Sequence, residues 1–142
     1  MSRINIDDYY LNIAKAVSAR SSCLKRQYGC VIVNNREIIA TGYNGSPRDT
    51  PNCCDRGYCK RLDVPHNSGQ YDDCDSVHAE QNCFLSTSRR DALGATLYLW
   101  GGENGFIIDA EPCPICMRMA KNMGIKRIVC SRKNDAFFAC TL

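Results

Sequence analysis

The sequence predicts an α/β protein, a three-layer α/β/α sandwich built around a mixed sheet of about five strands. Apolar runs of strand length alternate with helical patterns along the 142 residues, which is typical of a sheet covered by helices. Most of these runs are apolar throughout, as in strands that are buried on both faces. The first two runs are separated by a short turn, so an antiparallel hairpin makes the sheet mixed.

The first half of the chain predicts one amphipathic helix followed by that hairpin. Between residues 6 and 20, apolar side chains recur at spacings of four, three and four, the stripe of a helix that packs on a core. The stripe consists of Ile6, Tyr10, Ile13 and Val17. The apolar runs 30–33 and 38–41 then flank a polar turn and predict two buried strands. From there to residue 77 the chain shows no clear period, and a long irregular segment in a compact domain is usually functional.

The second half predicts two helices that alternate with strands. One helix is predicted to begin near His78, with Asp75 or Ser76 as its cap. At spacings of four, three and four, one face of that helix carries His78, Asn82, Leu85 and Arg89. Strand-like runs follow at 95–100 and 125–130, with a short fifth at 137–142. Between them we predict a glycine-containing loop, 101–111, and a second helix that follows Pro112 and ends at a glycine cap, Gly124.

The composition indicates a single domain, residues 1–142, with an ordinary globular balance of 44% hydrophobic and 23% charged residues. We expect no membrane segment and no secretion signal, and therefore a cytoplasmic protein. Eleven cysteines are many for this length. In a reducing compartment they indicate metal ligation and buried thiols rather than a disulfide framework. The net charge of +3 suits a small phosphorylated ligand and does not demand nucleic acid.

Two short motifs carry the chemistry, His78-Ala79-Glu80 and the segment Pro112-Cys113-Pro114-Ile115-Cys116. One histidine and two cysteines supply three protein ligands to zinc and leave the fourth tetrahedral position open for water. Glu80 can reach that water without binding the metal. This combination is the signature of zinc-dependent nucleobase deaminases, in which the glutamate is the general acid and base. We therefore predict His78, Cys113 and Cys116 as ligands of a catalytic zinc and Glu80 as the catalytic residue.

Two other interpretations fit parts of this pattern. A Cys-x-x-C pair alone also occurs in redox pairs and structural zinc sites. A closed zinc knuckle would use the same histidine and cysteines with one further cysteine as the fourth ligand. The position of Glu80, and the lack of a fourth ligand nearby in the sequence, favour the open catalytic site.

At these residues the chain resembles the cytidine and deoxycytidylate deaminase family, and within it the deoxycytidylate (dCMP) deaminases. Residues 42–47 match the G-Y-N-G-x-P loop of those enzymes, residues 78–82 match H-A-E-x-N, and residues 22–33 resemble their first-strand segment. The resemblance implies a cytidine-deaminase-like fold and deamination of dCMP to dUMP, a precursor of dTTP. It also implies a homo-oligomer, often a hexamer, that dCTP activates and dTTP inhibits as Mg²⁺ complexes.

The resemblance also implies roles for single residues. Asn44 would contact the sugar, Ala79 and Glu80 would bind the pyrimidine edge, and Arg26 would take part in substrate binding. The predicted effector-binding residues are Tyr43, Asn82 and Arg89. A solvated arginine at a helix end is the alternative for Arg89.

Some members of the family carry a second, structural zinc. Cys23 and Cys53 match two of its ligands by position, and we choose Cys59 and Cys74 by spacing and ligand type. His66 and Cys54 are the substitutes. The alternative is that these cysteines are buried free thiols, since cysteine packs well in protein cores.

Three functions compete on the sequence. The first is a free-nucleotide deaminase, either for dCMP or with a broader range that includes dCTP, since the loop 101–111 is longer than in many dCMP deaminases. The second is a cytosine or adenine deaminase that acts on RNA or DNA. The modest charge and the single tryptophan disfavour it, so we expect no polynucleotide partner. The third is a zinc module without catalysis.

Overall fold

A mixed β-sheet forms the middle layer of the protein. The computed structural model describes residues 2–63, 65, 74–134 and 136–142. Within these residues, the strands are β1 (Gln27–Asn34), β2 (Glu37–Tyr43), β3 (Thr96–Glu103), β4 (Phe106–Ile107), β5 (Arg127–Ser131) and β6 (Phe137–Thr141). Their order is β2-β1-β3-β5-β6, with β4 paired to β3. Only the β3–β5 pair is parallel among the described pairs, so the predicted mixed sheet is confirmed.

Helices cover both faces of this sheet. The helices of the described residues are α1 (Ile6–Ser18), α2 (Cys53–Arg56), α3 (Ala79–Leu85), α4 (Arg89–Ala92) and α5 (Pro114–Met123). Alternate residues of β1 point to opposite faces. Val31 therefore packs with α1, while its neighbour Ile32 packs in the cluster that contains Cys83 of α3 and Ala120 of α5. The predicted three-layer fold is confirmed.

The first helix is fastened to the sheet by a buried carboxylate. Asp7 accepts a hydrogen bond of 2.7 Å from the Tyr98 hydroxyl, and two of 2.8 and 2.7 Å from the Arg127 guanidinium. This guanidinium holds the pKa of Asp7 below its usual range against the opposing effect of burial. One side chain thus connects α1 to β3 and β5.

The helix near His78 differs from the prediction in two ways. His78 itself is the N-cap and α3 ends at Leu85, because the hydroxyl of Ser86 donates to Asn82 O at 3.0 Å and Ser88 caps a separate helix by accepting from Asp91 N. Asp75 and Ser76 are therefore not the cap. The prediction that Arg89 shares one continuous helix face with Asn82 is wrong, since Arg89 begins α4.

The predicted loop 101–111 is partly strand. Strand β3 continues to Glu103 and turns back into β4 through Asn104 and Gly105, whose φ angles of 53° and 82° form a tight hairpin turn. The remainder, 108–113, leads into α5. Gly124 ends α5 in a left-handed conformation with φ of 83°, as predicted. Among the described residues, no helix is long and apolar enough to span a bilayer.

Candidate metal centre and active site

Two helix starts bring the three predicted zinc ligands together. His78 is the residue before α3, and Cys113 is the residue before α5, where Pro114 favours the first helical turn. Cys116 lies one turn into α5. The Nδ1 atom of His78 lies 3.6 Å from Cys113 Sγ and 3.4 Å from Cys116 Sγ. Across the part of the chain that is described, these side chains form the one group of three or more potential metal ligands within mutual reach.

These distances fit a tetrahedral zinc ion. Zn–S bonds of about 2.3 Å and Zn–N bonds of about 2.1 Å at a tetrahedral angle separate the nitrogen from each sulfur by about 3.6 Å. The measured separations of 3.6 and 3.4 Å agree with that value. Donor type and spacing therefore both suit zinc, with three ligands from the protein and one position left open.

The electrostatics of the cluster also favour a cation. A hydrogen bond from the Cys116 thiol lowers the pKa of Cys113 to about 4, assisted by the hydrogen bond from His78. The same thiol–thiolate hydrogen bond raises the pKa of Cys116. The N-terminus of α5 further stabilises thiolates. The site thus holds negative charge where a metal would bind.

Glu80 lies in the first turn of α3 and is only 5% exposed. Burial raises the pKa of its carboxyl above the ordinary value, and it stands outside the three-ligand group. A buried carboxyl with a raised pKa, beside a metal site but not part of it, can accept a proton and release it again.

A cavity of about 110 Å³ opens onto these groups. The described residues that line it include all the predicted substrate residues together with His78, Glu80 and Cys113. Asn44 is 6% exposed. Its Oδ1 accepts from Ser21 Oγ and from Tyr28 N, and its Nδ2 donates to Arg26 O at 2.8 Å. These bonds fix the amide at the cavity wall and use one of the two Nδ2 hydrogens.

The other two predicted substrate residues, Ala79 and Arg26, also line the cavity. Arg26 makes a long ion pair with Glu103, 3.8 Å from Nε to Oε2. Two further cations in the wall, Lys25 and Arg61, were missed by the sequence prediction. Lys25 stands next to Arg26 in the resembling segment, and that adjacency was the available signal. No local pattern in the sequence marks Arg61 as a cavity residue.

A second, larger groove contains two of the three predicted effector residues. Its volume is about 960 Å³, and Tyr43 and Asn82 line it. Asn82 Nδ2 donates to Tyr43 O at 2.7 Å, which connects α3 to the end of β2. Arg89 does not belong to the described lining; Arg20 and Arg48 are the cations that do.

The four cysteines predicted to bind a second zinc do not form a closed cluster. Cys23, Cys59 and Cys74 line the active-site cavity, and desolvation raises the pKa of Cys23, with Cys59 and Cys53 as minor contributors. In the described chain no three of these sulfurs lie within 4.8 Å of one another. The substitute Cys54 is exposed, and His66 lies outside the described residues. All eleven cysteines are described, and all are free thiols.

Known proteins match this chain over most of its length. It is 37% identical over 132 residues to a deoxycytidylate deaminase of Mycobacterium phage D29, covering 91% of this chain and 96% of the relative. It is 38% identical over 125 residues to the deoxycytidylate deaminase of Schizosaccharomyces pombe, covering 87% of this chain but 36% of that longer protein.

Solved structures agree with the sequence comparison. The crystal structure of the dCMP deaminase from the cyanophage S-TIM5, in complex with dCMP and dUMP, superposes with a TM-score of 0.66 at 25% identity, covering 93% of this chain and 85% of that one. Residues 4–132 match the family model described as the cytidine and deoxycytidylate deaminase zinc-binding region. The resemblance predicted from the motifs is thereby confirmed, and the chain belongs to the cytidine and deoxycytidylate deaminase family.

Proposed function

We propose that this protein is a zinc-dependent dCMP deaminase that hydrolyses dCMP to dUMP and ammonia and so supplies a precursor of dTTP. One observation carries the proposal: the His78, Cys113 and Cys116 cluster faces a cavity that also contains the buried carboxyl of Glu80. The family match, the D29 relative of nearly equal length and the S-TIM5 complex with dCMP and dUMP support the choice of substrate.

In this proposal, each residue of the site has a distinct role. Zinc, when bound, supplies the Lewis acidity that makes water nucleophilic near neutral pH. Glu80 takes a proton from the water as its oxygen attacks C4 of cytosine, returns it to ring N3, and transfers the second proton to the departing amino group. The products are dUMP and NH₃, so atoms and charge balance. Asn44 and the backbone at Ala79 hold the nucleotide, with Arg26 near its charged end.

A side-by-side assay separates this function from its alternatives. Ammonia release is measured from dCMP, dCTP, cytidine and a cytosine-containing oligonucleotide with zinc-loaded protein. We expect dCMP to be the preferred substrate. Preference for dCTP would indicate the broader nucleotide deaminase, preference for the oligonucleotide would indicate a polynucleotide deaminase, and no release from any would indicate a zinc module without catalysis.

We further propose regulation by dCTP–Mg²⁺ as activator and dTTP–Mg²⁺ as inhibitor, in a homohexamer. The groove with Tyr43 and Asn82 is a suitable effector site, because Arg20 and Arg48 lie in its wall and arginine forks suit phosphate oxygens. An antiparallel bridge between Gly45 and Val77 borders the groove, with bonds of 3.2 and 2.7 Å. Val77 directly precedes the zinc ligand His78, so a ligand that shifts this bridge would also shift His78. The contribution of Arg89 stays a prediction.

A structural zinc on Cys23, Cys53, Cys59 and Cys74 also stays a proposal. Its support is that three of these residues share one cavity wall, while their sulfurs would have to move closer to bind one ion. Metal analysis of zinc-loaded protein should give two zincs per chain for wild type and one for Cys53→Ser. One zinc per chain in the wild type would contradict the proposed structural zinc.

We also propose that the protein acts in the reducing cytoplasm, where its free cysteines would stay reduced.

A further inference from the structure

The segment of chain that leads to Cys113 is fastened to the carboxyl end of β5. We propose that Arg132, the residue directly after β5, positions Cys113 through this segment and so sets the metal affinity of the site and the rate of turnover. The inference rests on the proposed zinc-dependent function. It concerns a residue outside the two motifs that supply the ligands and outside the described lining of the active-site cavity.

Hydrogen bonds from the end of β5 hold the segment at two of its residues. Ile108 O accepts from Ser131 Oγ at 3.1 Å. Ala110 N donates to Ser131 O at 3.0 Å, and Ala110 O accepts from Arg132 Nη1 at 2.7 Å. Both polar groups of the Ala110 main chain are therefore bonded to this end of the strand. Ala110 is completely buried, so water is not at hand to replace a bond that is lost.

The guanidinium of Arg132 is itself held in place. Its Nη1 also donates to Ser131 O at 3.0 Å, and its Cζ lies 4.8 Å from the ring centroid of Phe138 on β6. The side chain is 19% exposed. Its Nη2 pairs with Glu111 at 3.3 Å, but the Glu111 side chain is 67% exposed, and such a pair adds little. The bond to Ala110 O is therefore the one through which Arg132 acts on the metal site.

The link from Ala110 to the ligand is short and stiff. Only Glu111 and Pro112 separate Ala110 from Cys113. Proline fixes its own φ at about −65° and restricts the residue before it, so a displacement of Ala110 passes on to Cys113. The sulfur of Cys113 lies 3.6 Å from His78 Nδ1, the spacing that lets both atoms bind one tetrahedral ion. Arg132 thus bears on the geometry of the ligand set without touching it.

The test loads the site with Co²⁺, whose visible absorption spectrum depends on the geometry of its ligands. Cobalt spectra, zinc affinity by competition with a chelator, and kcat and KM for dCMP are measured for wild type, Arg132→Gln and Arg132→Lys. Arg127→Gln is the matched control, because it removes an arginine from the other end of β5, where the guanidinium bonds to Asp7 of α1. Circular dichroism establishes that each variant is folded.

We expect Arg132→Gln to weaken zinc affinity by about tenfold. This is the lower end of the range for residues that orient metal ligands, because Arg132 acts through Ala110. The cobalt spectrum should change and kcat should fall with KM unchanged, since Arg132 is not among the described residues of the cavity wall. Arg132→Lys should recover part of the loss, because an ammonium can still donate to Ala110 O. Arg127→Gln should lower the denaturation midpoint but keep the wild-type spectrum and zinc affinity.

A wild-type spectrum and zinc affinity in Arg132→Gln, or equal changes in Arg127→Gln, would overturn the assignment. If Arg132→Gln does not fold, Arg132→Lys is decisive, and a wild-type spectrum and affinity in that variant would overturn it. Wild-type protein that binds Co²⁺ or zinc but leaves dCMP unchanged would instead refute the proposed function. The spectrum and the zinc affinity would still decide the role of Arg132.

Discussion

Replacing Glu80 with glutamine tests the proton-transfer role that we propose for this carboxyl. The amide has nearly the same shape and stays neutral, so packing around the 5% exposed side chain is preserved. It cannot accept a proton from water and return it to the base. General acid–base catalysis by one positioned group contributes about 10²- to 10⁴-fold, and in the proposed mechanism Glu80 serves two successive proton transfers.

We therefore expect kcat for dCMP to fall by at least about 10³-fold, or about 4 kcal/mol of transition-state stabilisation, with zinc content unchanged. The assay is dUMP formation followed by chromatography, beside metal analysis of the same samples. Glu111→Gln is a matched control: it makes the same change in a cavity-lining carboxyl that is 67% exposed and paired with Arg132. We expect it to change kcat by less than about threefold. A Glu80→Gln enzyme with near-wild-type turnover, or one that loses zinc, would refute the reasoning.

Three further predictions concern residues outside the metal cluster. Asp7→Asn should lower the free energy of unfolding by about 1–2 kcal/mol, a value discounted because the Arg127 side chain is 36% exposed. Since the pKa of Asp7 is lowered from 3.8, the wild-type advantage is present above that pH and lost as the pH falls below it. Equal denaturation midpoints of wild type and Asp7→Asn at pH 7 would contradict this prediction. Gly42→Ala should displace the start of α3, because a Cβ there would lie 2.5 Å from Ala79 O and 2.6 Å from Cys83 N. We expect the free energy of unfolding to fall by about 1–3 kcal/mol and zinc to be lost more readily on dialysis. Unchanged stability and zinc retention would contradict this prediction. Arg48→Glu should weaken the effect of dCTP–Mg²⁺ and of dTTP–Mg²⁺ on dCMP saturation curves. If Arg89→Glu abolishes both effects and Arg48→Glu abolishes neither, the effector site lies outside the groove lined by Tyr43 and Asn82.

The sheet and the metal cluster could be predicted because their signals are local. Each of the five strands in the order β2-β1-β3-β5-β6 contains an apolar run. The ligands stand at recognisable helix starts, with His78 before α3 and Cys113 before Pro114. Two cysteines one helical turn apart and a histidine can bind one tetrahedral ion. This ligand chemistry predicts that His78 and Cys113, 35 residues apart in sequence, lie close together.

The differences arise where a periodic pattern competes with local hydrogen bonding. The four-three-four spacing ran through residues 86–88, but hydroxyl side chains there satisfy backbone groups and end one helix before the next begins. The Asn104-Gly105 pair was a readable hairpin signal within the supposed loop. The hydrogen bonds of Asn44 to Tyr28 N and Arg26 O join residues 16 and 18 positions apart, and no spacing in the sequence could show them.

Zinc-dependent formation of dUMP from dCMP is the most direct measurement of the central claim. The protein is stripped of metal with a chelator under reducing conditions and titrated with zinc, and dUMP formation is followed at each addition together with bound zinc. We expect no turnover without metal and activity that rises in proportion to occupancy of the site formed by His78, Cys113 and Cys116. Turnover that persists in metal-free protein, or fully zinc-loaded protein that leaves dCMP unchanged, would contradict the assignment.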